Sequence, residues 1–293
     1  MPDQVRHAPA AAGRSLPVLF FPALLLLGVL ALSAPVHGQS ADELLGQALE
    51  RQSSQLDGIA GLEMDSRQMG IPSTSRFEVV EDEAGIRHLR FVEMEAMGNI
   101  MGGEMEGMGS AGLMDVDLEA FSGTAELLGE AEFGGRTAHQ MAVRGGIDEW
   151  IPGEELDEDV RFEDGEGTIY LDVETLDFLG MRWEGTVTHE GETHETWLTY
   201  EMRDWQETDG FRHAGSIVLE TDMARFVLSD EDRAEIRMQL EMIDGGLPPG
   251  LPMEGEMGEI IRGIMDQSDN LMRMLEEGIM TVEVEIEAVR VQR

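Results

Sequence analysis

Two methionine pairs, Met94/Met97 and Met105/Met108, stand at the M-x-x-M spacing that suits Cu(I), because a thioether sulfur is a soft ligand. They belong to a longer stripe, Met94, Met97, Met101, Met105 and Met108, spaced 3, 4, 4 and 3 residues apart. At the helical turn per residue these five fall within about 80° of one another, one face of a helix. The same residues read as a greasy surface or as plain core filler, since methionine is adaptable in both settings. Gly98, Gly102, Gly103 and Gly107 each weaken such a helix by about 1 kcal/mol relative to alanine. A helix meant only to pack would not be interrupted so often, which favours a lid that opens. A second segment, from Met253 through Met257, Ile260, Ile264, Leu271, Met272 and Leu275 to Ile279, carries one broad apolar face. Its isoleucines and leucines are no use to a metal, which argues against copper for both.

Other motifs are weaker. His189, Glu190, His194 and Glu195 in "THEGETHE" flank a tight turn and could converge on a metal across a hairpin, but the spacing is not the helical H-E-x-x-H. "GMGSAG" (107–112) matches a dinucleotide fingerprint without the strand and helix that give it meaning, and its acidic surroundings repel a pyrophosphate. The acids of "EELDEDVRFEDGEG" (154–167) do not fit a calcium loop, and no serine sits in a G-x-S-x-G elbow. Carboxylate pairs can be drawn anywhere among 60 acids, so they point to no hydrolase. No catalytic residue, cofactor or metal ligand is assigned.

The 60 acids face 20 bases, all arginine, for a net charge of −40. That excludes a phosphate-binding footprint, hence nucleic acid, and disfavours an anionic membrane surface. With no cysteine there are no disulfides and no thiolate sites, so a packed core must supply stability. Residues 1–38 read as a signal peptide: Arg6 and Arg14, an apolar run Leu16 to Leu32 broken by Pro17 and Pro22, and a cut near Gly38. The run is short of the about 20 residues of a membrane span, so an exported, periplasmic protein with no span after cleavage is expected.

The elements that must position these residues are mostly strands. After a short amphipathic helix, with Leu44, Leu45, Ala48 and Leu49 on one face, the pattern turns to alternation of period two. "AELLGEAEFGGRTAHQMAVR" is a hairpin turning at Gly134-Gly135, with Leu127 and Phe133 expected on one side. Met181, Trp183 and Val187 share a face opposite Arg182, Glu184 and Thr186. The last strand alternates Met280, Val282, Val284 and Ile286 with polar residues, then slips phase at Val289 and Val291, which predicts a bulge. The expected fold is mainly β (α+β): roughly eight to eleven antiparallel strands curled into an unclosed barrel over helices. It forms one domain, residues 39–293, with a Met/Gly-rich insertion at about 94–114 and a Met-rich helical segment at about 253–279.

"Gly134-Gly135-Arg136-Thr137-Ala138", "Tyr170-Leu171-Asp172" followed by "Glu174-Thr175-Leu176", and "Trp205…Asp209-Gly210-Phe211" resemble, in order, strands and turns of the LolA-like and LppX-like lipoprotein-carrier superfamily. The resemblance implies an unclosed β-barrel around helices whose hydrophobic cavity holds acyl chains, with lipid or acylated lipoprotein as cargo and an envelope transport partner. It also implies an arginine near the lid, for which Arg67 and Arg76 are the nearest candidates. The expected cavity and lid residues are Leu127, Phe133, Met181 and Trp183 with Met94, Met97, Met101, Met105, Met108, Met257 and Ile264. Two other classes stay open: a periplasmic copper-binding protein using the Met stripe, and a structural envelope protein whose Met segments pack a sealed core.

Overall fold

A computed structural model of the chain describes residues 39–293 except 69–70, 83, 97–115, 117, 146–159, 190, 230–232, 235, 239 and 241–267. Helix α1 (Ala41–Gln55) comes first, followed by β1 (Gly61–Gln68), β2 (Ile71–Glu81) and β3 (Arg87–Ala96). A 3-10 turn (Leu118–Phe121) leads into β4 (Glu126–Phe133), β5 (Arg136–Arg144), β6 (Val160–Asp172), β7 (Phe178–His189) and β8 (Glu192–Arg203). The short pair β9 (Gln206–Thr208) and β10 (Phe211–His213) precedes β11 (Ser216–Thr221), α2 (Ala224–Val227), α3 (Ser268–Glu277) and β12 (Met280–Gln292).

Ten of these strands form one antiparallel sheet in the order β3-β2-β1-β12-β11-β8-β7-β6-β5-β4, curved and not closed into a barrel, while β9 and β10 pair by themselves. The last strand lies in the middle, between β1 and β11, and so zips the two halves together. The bulge expected from its phase slip is present: Ala288 opposes Asp65 and Ile286 opposes Ser66, leaving Glu287 over. "FRHAGSIVLETD" is two strands rather than one, because Gly215 breaks it by donating its N–H to Arg203 and Asp204 carbonyls.

Both edges of the sheet are bulged. Val92 on β3 and Leu128 on β4 are the extra residues, each more than half exposed. Edge bulges of this kind twist a strand away from further pairing, which keeps an open sheet from adding copies of itself. The β4 bulge also corrects the expected pairing of faces. Leu127 opposes Met141 on the inner side, but beyond Leu128 the phase is reversed, and Phe133 points to the outer side.

One main core lies on one face of the sheet, running from Leu62 and Phe77 through Met141, Ile169, Met181 and Trp183 to Val284. Helix α1 packs into it through Leu44, Leu45 and Ala48, the face read from the sequence, each leucine contributing about 1.5–3 kcal/mol of burial. Its start is pinned by a capping box: the Ser40 hydroxyl accepts from Glu43 N–H at 3.2 Å, and the Glu43 carboxylate accepts from Ser40 N–H at 3.1 Å. Trp183 is clasped between Gly165 and Gly185, where any Cβ would overlap the indole, and it donates to the Gly145 carbonyl at 3.1 Å.

Met94 lies in β3, opposite Ser75, and not on a helix. The β2–β3 ladder runs on to Ala96, and its regular hydrogen bonds outweigh a helix weakened by glycine. Met97, Met101, Met105, Met108, Met257 and Ile264 lie outside the described residues. The end of the second Met segment is helix α3, with Leu275 buried. No helix among the described residues is long and apolar enough to cross a membrane.

Candidate ligand-binding cavity

Under the last turns of α1 the core is incompletely filled, leaving a cavity of about 130 Å³. Its floor is apolar: Met64 of β1, Met202 of β8, Ile217 of β11 and Ile286 of β12, with Phe178 and Phe211 on the sides. Its rim is polar, made by Arg51, Gln52 and Gln55 of α1, Asp177, and Arg212 and His213 of β10. Arg51 and Gln52 are exposed, so the cavity meets solvent there. The helix is held over it at both ends. Asp42 accepts from Gly123 N–H at 2.8 Å, Ser53 from Arg87 N–H at 2.9 Å, and Gln55 from Arg212 N–H at 3.2 Å.

Beside the rim, on the outer side, a second small cluster stacks Phe133 on Tyr170 at 4.0 Å between ring centroids, with Ala138, Leu179 and Trp205 around them. The Arg182 guanidinium lies over both rings, 5.5 Å from Phe133 and 5.9 Å from Tyr170. Below this stack the β6–β7 turn is knotted by two buried carboxylates. Asp172 Oδ1 accepts from the Glu174 and Thr175 N–H groups at 2.9 and 2.7 Å, and its Oδ2 pairs with Arg136 at 2.9 Å. The Thr175 hydroxyl is shared between Asp172 and Asp177, and Asp177 holds Arg212 at 2.7 Å. Burial alone would raise the Asp172 pKa, but the Thr175 and Glu174 donors and Arg136 outweigh it and hold the carboxyl below its usual range. The Asp177 hydrogen bonds push Arg212 above its usual value.

Two of the three stretches on which the family resemblance rests meet in one latch, through Arg136 and through Asp172 and Thr175, and Arg212, next after the third stretch, joins it through Asp177. It fastens the β9–β10 hairpin, itself turned at Asp209-Gly210 with both φ positive, beside the cavity. Trp205 and Arg212 form the wall between cavity and outer groove, with the guanidinium 5.9 Å from the indole centroid. One atom in this wall is unsatisfied: Trp205 Nε1 is buried and finds no acceptor among the described residues. An orphaned buried donor costs about 1–3 kcal/mol, so it calls for an explanation.

Of the residues expected to line a cavity, Met181 and Trp183 are fully buried in the main core, Leu127 packs against it, and Phe133 belongs to the outer cluster; none borders this cavity. Arg67 and Arg76 lie on the polar face opposite the core, paired with Glu287 and with Glu63 and Glu93, and do not line it. His189 and His194 sit diagonally on the β7–β8 hairpin, and no group of three His, Asp or Glu side chains converges for a metal among the described residues. Sequence reasoning missed Arg51, Gln55, Trp205 and Arg212. The signal available was the polar end of an otherwise apolar helix face.

Among solved structures, this one is similar to the Mycobacterium tuberculosis lipoprotein LppX, at 9% identity over 50% of this chain and 90% of that one, with a TM-score of 0.21. It is similar to MucB at 12% identity over 60% of this chain and 79% of that one, also with a TM-score of 0.21. A complex of MucB with MucA(peri) is matched as well, at a TM-score of 0.17. No protein-family model matches the chain, and no curated protein is similar to it. At such TM-scores what the chain does has to be read from its own residues.

Proposed function

We propose that this is a non-enzymatic carrier that binds an acyl chain, from a lipid or an acylated protein, on the concave side of the open sheet beneath α1. The observation that carries the reading is the cavity itself: an apolar floor on four strands, open to solvent at a polar rim, with hydroxyl nucleophiles and paired general bases absent from its described lining. Residues 1–38 support export, and the net charge of −40 sets nucleic acid aside.

A cavity of about 130 Å³ compares with one that holds a benzene-sized guest, and most ligand sites are larger, about 300–1,000 Å³. A full acyl chain therefore enters only if α1 gives way, exchanging the burial of Leu44 and Leu45 for that of the ligand's methylenes, about 0.8 kcal/mol each. The small volume also favours a rival reading, a structural protein with an imperfectly filled core. Native mass spectrometry of protein purified without detergent, followed by lipid extraction, separates the two. Near-stoichiometric lipid is expected; a clean apo mass that persists after lipid is offered in vitro rejects the carrier.

A further inference from the structure

The rim of the cavity is charged opposite to the rest of the molecule. The chain as a whole carries three acids for every base, 60 to 20. The cavity lining holds two arginines, Arg51 and Arg212, and one carboxylate, Asp177. That carboxylate is already engaged by the Thr175 hydroxyl and by Arg212. Arg51 makes no ion pair or hydrogen bond through its guanidinium among the described residues, in a protein where most arginines have a carboxylate partner. Gln55 has spent its carbonyl oxygen on Arg212 N–H, leaving its amide N–H groups to donate. Trp205 Nε1, in the same wall, is a buried donor with no acceptor among the described residues. Donors thus outnumber acceptors at one end of an apolar pocket.

Resting on the carrier reading, we infer that this rim receives the anionic oxygen head of a single-chain amphiphile, its apolar tail lying on Met64, Ile217 and Ile286. Arg51 supplies the charge-assisted hydrogen bonds, and Trp205 and Gln55 add neutral ones. A carboxylate and a phosphate monoester share this chemistry, since the guanidinium fork matches either. An overall charge of −40 repels anions at long range, so preference for an anionic head can arise only from the local rim.

The test is calorimetric titration of the full mature chain at fixed, near-physiological salt with decanoate, decyl phosphate and decanol, each below its aggregation limit. Arg51→Gln and Trp205→Phe are run beside the wild type, with circular dichroism to confirm that each is folded. We expect one or both anions to bind at least about tenfold more tightly than decanol, and Arg51→Gln to erase that difference without changing decanol binding. Preference for decanoate over decyl phosphate, or the reverse, assigns the head group. Equal binding of all three, or a preference that survives both substitutions, overturns the head-group inference and leaves the carrier standing. No binding of any of the three overturns both.

Discussion

The two sides of the Trp205–Arg212 wall are built to different rules. On the outer side the Asp172 carboxylate meets donors from the turn itself and from Arg136, and Phe133 and Tyr170 stack under a guanidinium. On the inner side Arg51 is unpaired among the described residues and the apolar floor leaves space, while in the wall itself Trp205 Nε1 has no acceptor among them. The outer network specifies a turn and gains nothing from a ligand. The inner one leaves hydrogen bonds unmade, which is what a site awaiting a partner must do. Stability and binding are therefore expected to be separable across one indole ring.

The strongest way to break that contrast is Asp172→Ala. It strips Thr175, Glu174 and Arg136 of their acceptor, and urea unfolding should lose about 3–5 kcal/mol. Next comes Trp183→Phe, which leaves the Gly145 carbonyl unpaired and a gap between Gly165 and Gly185; a loss of about 2 kcal/mol is expected in the same assay. If either change altered decanoate affinity as much as stability, the two regions would not be independent.

The latch should also carry an acid limit. The Asp172 carboxyl is held below its ordinary 3.8, so it contributes stability that is present above that pH and is lost as pH falls through the lower folded value. Urea midpoints measured downward from pH 5 should fall for the wild type, and the share due to this residue should be missing from Asp172→Asn. Ser40→Ala, which opens the capping box of α1, should cost about 1 kcal/mol and loosen the helix over the cavity. The smallest effect belongs to Arg51→Gln: an exposed side chain, unpaired among the described residues, whose loss should leave the unfolding free energy within about 0.5 kcal/mol of wild type, while acting on anion binding.

Much of the fold was legible along the chain because strand alternation and turn chemistry are local. The face of α1, the hairpin at Gly134-Gly135, the shared face of Met181, Trp183 and Val187, and the bulge near Ile286 all follow from period and from glycine at a positive φ. Local signals failed where register decides. One extra residue, Leu128, reverses the phase of β4 and sends Phe133 to the outer side, and nothing in the alternation of Leu127 and Phe133 announces it. Met94 was drawn to a helix by its spacing and held in a strand by its ladder.

The sequence by itself determined the class of the molecule: an acidic, cysteine-free, antiparallel β protein that begins with an amphipathic helix, since composition and period are properties of short windows. Only the tertiary structure decided where a ligand could go. Arg51 and Arg212 are 161 positions apart and line one rim because β12 joins the two halves of the sheet, the Asp177 latch holds β10, and Gln55 of α1 accepts from Arg212 N–H. Pairing between such distant residues depends on register and on satisfied hydrogen bonds across the whole sheet, and no local pattern encodes that.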